Sequence, residues 1–324
     1  MVFTSSLSRL SGLLALGATA TQAAYTIQDS YDQTNFFQGF EFFNYPDPTN
    51  GFVQYQAAAG ANQLSLAGYA NNAVYLGVDY MTMNPEGGRK SVRVNSKKTY
   101  NEGLIIADIA HQPAAQCGTW PAFWTVGADW PNNGEIDIIE GVNLATNTTY
   151  TLHTSTGCSF SQGDCNAPGT ATLGCGTASH DEQTLADGFN EIGGGVFALE
   201  WTSSAINIFF FPRTNIPEDI TSETPDPSTW GAPSTSFSGS GCNIPEHFKD
   251  HQIVFDTTLC GDWAGKVFSD DPVCASKAST CQEFVASNPS AFKDSYWLIH
   301  SVKTYSDDSS TVEHYETIPR RFTA

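Results

Sequence analysis

Trp120-Pro-Ala-Phe-Trp-Thr-Val-Gly-Ala-Asp-Trp-Pro-Asn-Asn-Gly-Glu-Ile-Asp-Ile-Ile-Glu-Gly141 carries most of what can be read from this chain. Its last third sets three acids, Glu135, Asp137 and Glu140, among branched apolar residues, the composition of a β-strand with one polar face. Side chains along a strand alternate with period two, so Glu135 and Asp137 share a face while Glu140 falls on the other. One β-bulge between Asp137 and Glu140 absorbs the extra residue and returns Glu140 to its companions. The spacing therefore predicts a bulge. Upstream, Asn132-Asn133-Gly134 is a turn signal.

Short strand-like runs recur outward from this segment. Ser91-Val-Arg-Val-Asn95, Gly103-Leu-Ile-Ile-Ala-Asp-Ile109, Thr149-Tyr-Thr-Leu-His153, Gln252-Ile-Val-Phe255 and Tyr296-Trp-Leu-Ile-His300 are branched or aromatic and partly alternating. Val196 to Trp201 and Ile206 to Phe211 flank a short Ser-Ser turn and read as a hairpin. Helical signal is confined to one or two turns within Ser279 to Phe292, broken by Pro289. The expectation is an all-β fold of two antiparallel sheets packed face to face, one of them presenting an open, concave surface. The Pro/Ser/Thr/Gly-rich stretch from Ile216 to Cys242 reads as a long surface loop, with an interdomain linker as the rival.

The chain has 324 residues, 14 Lys+Arg against 34 Asp+Glu, and a net charge of −20, which disfavours nucleic acid or an anionic membrane as partner. Arg9, the apolar run Leu10 to Ala18 and the small residues through Ala23 resemble a secretory signal, too short to span a bilayer. Cleavage is expected after Ala20 or Ala23, so residues 1–23 are taken as the signal and 24–324 as one catalytic domain. Export makes the eight cysteines, Cys117, Cys158, Cys165, Cys175, Cys242, Cys260, Cys274 and Cys281, four disulfides. The pairing is open, and Cys158 to Cys165 and Cys274 to Cys281 are candidates for local closure. No Cys-x-x-Cys pair argues for zinc or redox chemistry. Asn147-Thr148-Thr149 is a glycosylation sequon that needs an exposed segment. The last residues, Ile318 to Ala324, carry no hydrophobic anchor tail, so release from the cell is expected.

Two glutamates on one face of a strand, with backbones about 13 Å apart, can lean their carboxyls to about 5–6 Å on a curved sheet. That separation suits a retaining glycosidase, in which one ionised carboxylate attacks the anomeric carbon and a protonated one serves the leaving oxygen. The charge of the first raises the pKa of the second, and Asp137 between them can hold the nucleophile. Trp120, Trp124 and Trp130 are flat apolar faces on which sugar rings stack, whereas Trp201 and Trp297 sit in strand runs that read as core. No Gly-x-Ser-x-Gly elbow, His-Glu-x-x-His site or phosphate loop is present.

These residues resemble glycoside hydrolase family 16, and within it the fungal laminarinase-like endo-1,3(4)-β-glucanases. The matching segments are Trp120-Pro-Ala-Phe-Trp124, Gly134-Glu-Ile-Asp-Ile-Ile-Glu-Gly141, Tyr150-Thr-Leu-His-Thr154, Gly195-Val-Phe-Ala-Leu-Glu-Trp201, Cys260-Gly-Asp-Trp-Ala-Gly265 and Ser301-Val-Lys-Thr-Tyr305, in that order. The resemblance implies a β-jelly-roll with a concave cleft, and Glu135 as nucleophile, Glu140 as acid/base and Asp137 as the assisting acid. It implies His153 beside the acids and Trp130, Trp124 and Trp263 among substrate-binding residues. The extra residue between Asp137 and Glu140 is similar to the bulged laminarinase branch, which points to β-1,3-containing glucans. The expectation is thus a secreted, monomeric endo-hydrolase of β-1,3- and mixed β-1,3/1,4-glucans. It needs no cofactor and no metal, and its partner is the polysaccharide substrate. A wall-remodelling transglycosylase and a non-catalytic glucan-binding lectin are the alternatives.

Overall fold

Strands form wherever apolar and polar residues alternate, and the two faces of that alternation build two layers. The computed structural model describes residues 25–169 and 173–307; the expected signal and the Ile318 to Ala324 tail lie outside them. One layer orders Thr235–Ser238, Ala205–Pro212, Gly195–Trp201, Gly103–His111, Tyr296–Asp307, Ala73–Gly77 and Ala67–Ala70, with Tyr25–Asp32 also paired to Tyr296–Asp307. The other orders Cys175–Ala178, Thr149–His153, Glu135–Glu140, Thr119–Gly127, His251–Leu259, Arg93–Ser96 and Phe40–Phe42. Every pairing within these two sheets is antiparallel. The expected hairpin forms with Trp201 opposite Ile206.

The core fills the space between the sheets. Phe123 stacks on Phe255 at 4.4 Å, and Phe255 meets Trp297 of the opposite layer edge-on at 5.5 Å. Trp201 and Trp297 are buried, as expected of core tryptophans. The Trp297 indole donates to the Asp256 carbonyl and Thr257 Oγ1, which removes the cost of burying its N–H.

Two segments differ in detail from the sequence expectation. The run Ser91 to Asn95 is not one strand, because Arg89–Ser91 pairs in parallel with Val53–Tyr55 and only Arg93–Ser96 enters the large sheet. Buried Arg89 is the cause: its guanidinium donates to the carbonyls of Val285 and Asp79, tying this end of the run away from the sheet. The stretch from Ile216 to Cys242 holds short helical turns at Glu218–Thr221 and Pro227–Thr229 and then the edge strand Thr235–Ser238. That strand pairs with Ala205–Pro212, so the segment joins neighbouring strands of one sheet.

Four disulfides form, Cys117–Cys274, Cys158–Cys242, Cys165–Cys175 and Cys260–Cys281, and neither short interval is bridged. Two of them, Cys117–Cys274 and Cys260–Cys281, clip the helices Pro272–Ala275 and Cys281–Ser287 to the sandwich. There Thr280 caps Cys281–Ser287 by accepting the Glu283 N–H, and Pro289 ends the helix and begins a 3-10 turn. Among the described residues no helix is long and apolar enough to cross a membrane. The sequon residue Asn147 is half-buried, with its side-chain amide donated to the Ser179 carbonyl, so it is not the free, exposed amide that a sequon requires.

Candidate active site

The bulge falls where the spacing puts it. Glu135, Ile136 and Asp137 oppose Val126, Thr125 and Trp124, the register slips at Ile138, and Ile139 and Glu140 oppose Phe123 and Ala122. Ile138 and Ile139 both enter the core with no exposed surface. Two consecutive inward side chains are the mark of the bulge, and they return Glu140 to the face of Glu135 and Asp137. The turn that delivers the strand is pinned as well. Gly134 has φ of +77°, and a Cβ there would come within 2.5 Å of the His247 carbonyl. His251 Nε2 donates to the Asn133 carbonyl at 2.7 Å.

Cross-strand partners point the same way, so the ladder lays out the open face row by row. Glu140, Ala122, Asp256 and Arg93 form one row, and Asp137, Trp124, Val254 and Asn95 form the next. Glu135 stands opposite His153 on the other side. Ala122 adds only a methyl between Glu140 and Asp256, which leaves room there.

The acids and the histidine form one cluster. His153 Nε2 lies 3.1 Å from Asp137 Oδ2 and 4.0 Å from Glu135 Oε1. The Asp137 contact is an ion pair without hydrogen-bond alignment, and that oxygen has no donor among the described residues. His153 Nδ1 donates to the Leu173 carbonyl at 2.5 Å. Burial opposes the imidazolium charge, but Glu135 first, then Asp137 and Glu140, outweigh it and lift the His153 pKa to about 10.

Both glutamates are pushed above the ordinary carboxyl value, by burial first and by the Asp137 charge second. What opposes the rise differs between them. Glu135 has His153, the Trp130 indole and the Arg93 charge, and 13% of its side chain stays open to the groove. Glu140 has the Trp120 indole and His153, and the Glu135 charge adds to its rise. Glu140 therefore holds its proton more tightly, and Glu135 ionises first.

The profile of the XgeA-like catalytic GH16 domain matches residues 40–305. The chain belongs to this branch of glycoside hydrolase family 16. It is 46% identical to an endo-1,3(4)-beta-glucanase of Arthroderma benhamiae, over 92% of this chain and 68% of that protein. It spans 48% and 51% of two longer fungal relatives. An elongating GH family 16 beta-1,3-glucosyltransferase structure is 41% identical with a TM-score of 0.80, covering 87% of this chain and 100% of that one. Laminarinase 16A from Phanerochaete chrysosporium, with 6-O-glucosyl-laminaritriose in donor and acceptor sites, is 36% identical with a TM-score of 0.82, covering 88% of this chain and 100% of that one. The jelly-roll expected from the sequence is the fold these neighbours share with the chain.

Around the acids of this family 16 domain the tryptophans take distinct positions. Trp130 sits half-buried in the turn before Glu135, and its N–H makes no aligned hydrogen bond. Trp124 lies on the open face, its indole donating to Asp256 Oδ1 at 3.3 Å. Trp263, in the turn Gly261–Gly265, meets Trp120 edge-on at 5.6 Å. The sequence makes Trp120 a sugar-stacking face, but the ring is buried and its N–H donates to Glu140 Oε1 at 2.7 Å.

Two further residues were not singled out. The Arg93 guanidinium is held between the rings of Phe43 at 4.3 Å and Trp124 at 4.7 Å. Buried Asp256 accepts from Tyr55 at 2.8 Å as well as from Trp124. Both are charged residues inside apolar alternation, Val92-Arg-Val94 and Val254-Phe-Asp256, and that pattern is the signal that could have found them.

Glu135, Asp137 and His153 each bring one donor atom within 4.8 Å of the others, a spacing a metal ion could bridge. The Nδ1 bond to the Leu173 carbonyl leaves Nε2 turned toward both carboxylates, where its lone pair would serve a metal and its proton would make the ring their counter-cation.

Proposed function

We propose that this chain is a secreted endo-β-glucanase that hydrolyses β-1,3- and mixed β-1,3/1,4-glucans by double displacement with retention. The observation that carries the reading is the Ile138 bulge, which puts Glu140 on the open face with Glu135 and Asp137, among Trp120, Trp124 and Trp130. Glu135, ionised beside the His153 cation, attacks the anomeric carbon. Glu140, the carboxyl that keeps its proton longer, gives it to the leaving oxygen. The glycosyl bond removes the Glu135 charge. Glu140 can then take a proton from water, which releases the sugar and restores both groups. Asp137 fixes His153 and through it the orientation of Glu135. Trp124, Trp130 and Trp263 supply faces for sugar rings. Four disulfides and the signal-like leader support export.

Product analysis on laminarin, lichenan, barley glucan, pustulan and cellulose tests the substrate class, since shortened oligosaccharides with new reducing ends are expected from the first three. Glu135→Ala with azide is expected to yield an α-glycosyl azide, because azide takes the place of the missing carboxylate and the β-linkage is inverted once. Glu140→Ala is expected to spare activated aryl glycosides, and an α-azide from that variant, or wild-type activity in Glu135→Ala, defeats the assignment. Transfer is the second reading, favoured by the 41% identity to the elongating glucosyltransferase. Products longer than a defined donor would establish it.

A further inference from the structure

His153 is tied on its far side to a segment that contributes no side chain to the acid cluster. Its Nδ1 donates to the Leu173 carbonyl at 2.5 Å. The next residue, Gly174, lies so close that a Cβ there would fall 2.7 Å from Nδ1 and 2.7 Å from the Leu152 carbonyl. The residue after that, Cys175, opens the edge strand Cys175–Ala178, lies opposite Leu152 in the ladder, and is bridged to Cys165. Cys165 is itself fixed, since its carbonyl accepts the Thr154 N–H and its own N–H donates to the Cys158 carbonyl. Leu173 and Gly174 thus back the His153 ring, and the next residue, Cys175, carries the covalent bond that anchors this wall beside the histidine's own strand.

We infer that the Cys165–Cys175 disulfide is a positioning device for the reaction: it holds the Leu173 carbonyl against His153 Nδ1, so the ring is kept doubly protonated with Nε2 aimed at Asp137 and Glu135. This inference rests on the glycosidase reading above. The carbonyl can only accept, so the wall excludes the tautomer that lacks an Nδ1 proton, and the carboxylates opposite hold the second proton on Nε2. The charged groups acting on the ring are Glu135, Asp137 and Glu140. A fixed cation at that place lets Glu135 ionise while Glu140 keeps its proton. Without the carbonyl the ring can turn, lose its second proton and leave Glu135 with a higher pKa.

Two variants test this from different directions. The double variant Cys165→Ala/Cys175→Ala frees the wall, and Gly174→Ala keeps the bridge but pushes a methyl at Nδ1. Each is expected to lower kcat on laminarin about 10- to 100-fold with little change in KM, and to move the acid limb of kcat/KM to higher pH. In 15N-histidine spectra of the wild-type enzyme at pH 8, His153 should show two protonated ring nitrogens, and in the variants one. Variants that keep the wild-type pH limbs, whether active or uniformly slowed, would reduce the bridge to a loop staple and overturn the inference, as would a neutral His153 in the wild type. If the double variant does not fold, Gly174→Ala and the wild-type spectrum decide. The spectra do not depend on catalysis, so failure of the glycosidase reading would show in the azide experiment instead.

Discussion

The indole N–H of Trp120 donates to Glu140 Oε1 across 2.7 Å, from a ring that is itself buried beneath the edge of Trp263. A hydrogen bond to a carboxylate favours its charged form, and here it offsets part of the rise that burial and Asp137 impose on Glu140. Removing the donor makes the proposed acid weaker. Trp120→Phe, which keeps most of the ring, is expected to shift the alkaline limb of kcat/KM to higher pH. It should also lower kcat about tenfold on natural glucans, a fraction of what general acid catalysis supplies. Aryl glycosides with good leaving groups should be hydrolysed nearly as before. An unchanged pH profile would show that the bond does not tune Glu140.

Asp256 shapes the other end of the same row. Burial pushes its pKa up to about 6, with Arg93, Tyr55 and Trp124 opposing. It fixes the Trp124 indole, and Trp124 forms one side of the aromatic pair around Arg93. Asp256→Asn keeps the shape but loses the charge that holds these donors. Weakening hydrogen bonds to a charged group by about 1.4 kcal/mol corresponds to roughly a tenfold rise in KM for laminarin oligosaccharides, with kcat less affected. Steady-state kinetics on oligosaccharides of defined length measures it, and a fall in kcat at constant KM would place Asp256 in the chemistry rather than in binding.

The raised glutamate pKa values have a thermodynamic counterpart. In the unfolded chain Glu140 ionises near 4.5, its ordinary value, whereas in the fold burial makes it keep the proton to higher pH. Above the unfolded pKa the folded state therefore binds the extra proton, and stability falls as pH rises toward the folded pKa. Glu140→Gln removes this dependence. It is expected to unfold at about the wild-type temperature at pH 4 and at a higher temperature than the wild type at pH 8. Calorimetry across that range checks the sign. A wild type more stable at pH 8 than its Glu140→Gln variant would contradict a protonated Glu140 in the fold.

Legibility followed the range of the physics. Alternation is local, so the strands around Glu135 and Thr149, the hairpin through Trp201 and Ile206, and the bulge itself could be read from spacing. The disulfide count was legible because export and an even cysteine number suffice. The pairing was not, since Cys117 and Cys274 are 157 residues apart and meet only through the packed layers. Arg93 and Asp256 enter the site through ladder register between strands distant in sequence. The Leu173 carbonyl has no side-chain signature at all. The split at Val92 depends on buried Arg89 finding carbonyls at Val285, again a contact between distant segments.

The bulge separates two changes of equal size. Deleting Ile138 leaves Glu-Ile-Asp-Ile-Glu, in which strict period two still puts all three acids on the open face and one isoleucine between Asp137 and Glu140 in the core. The variant loses one buried isoleucine, at a cost of about 2–5 kcal/mol by comparison with truncation to alanine. It should nonetheless keep measurable hydrolysis of laminarin if it folds. Inserting an alanine after Ile139 instead adds a second extra residue. Keeping the bulge then turns Glu140 into the core occupied by Ile138 and Ile139, whereas losing it returns Glu140 to the open face only by turning Ile139 outward and moving the acid one row further from Asp137. Burying an unpaired carboxyl there is unfavourable, so the acid is displaced and activity should fall below detection. Parallel assays, with circular dichroism to confirm folding, compare the two. A folded deletion variant as inactive as the insertion would mean that the position of Glu140 along the strand, and not the face it occupies, limits the reaction.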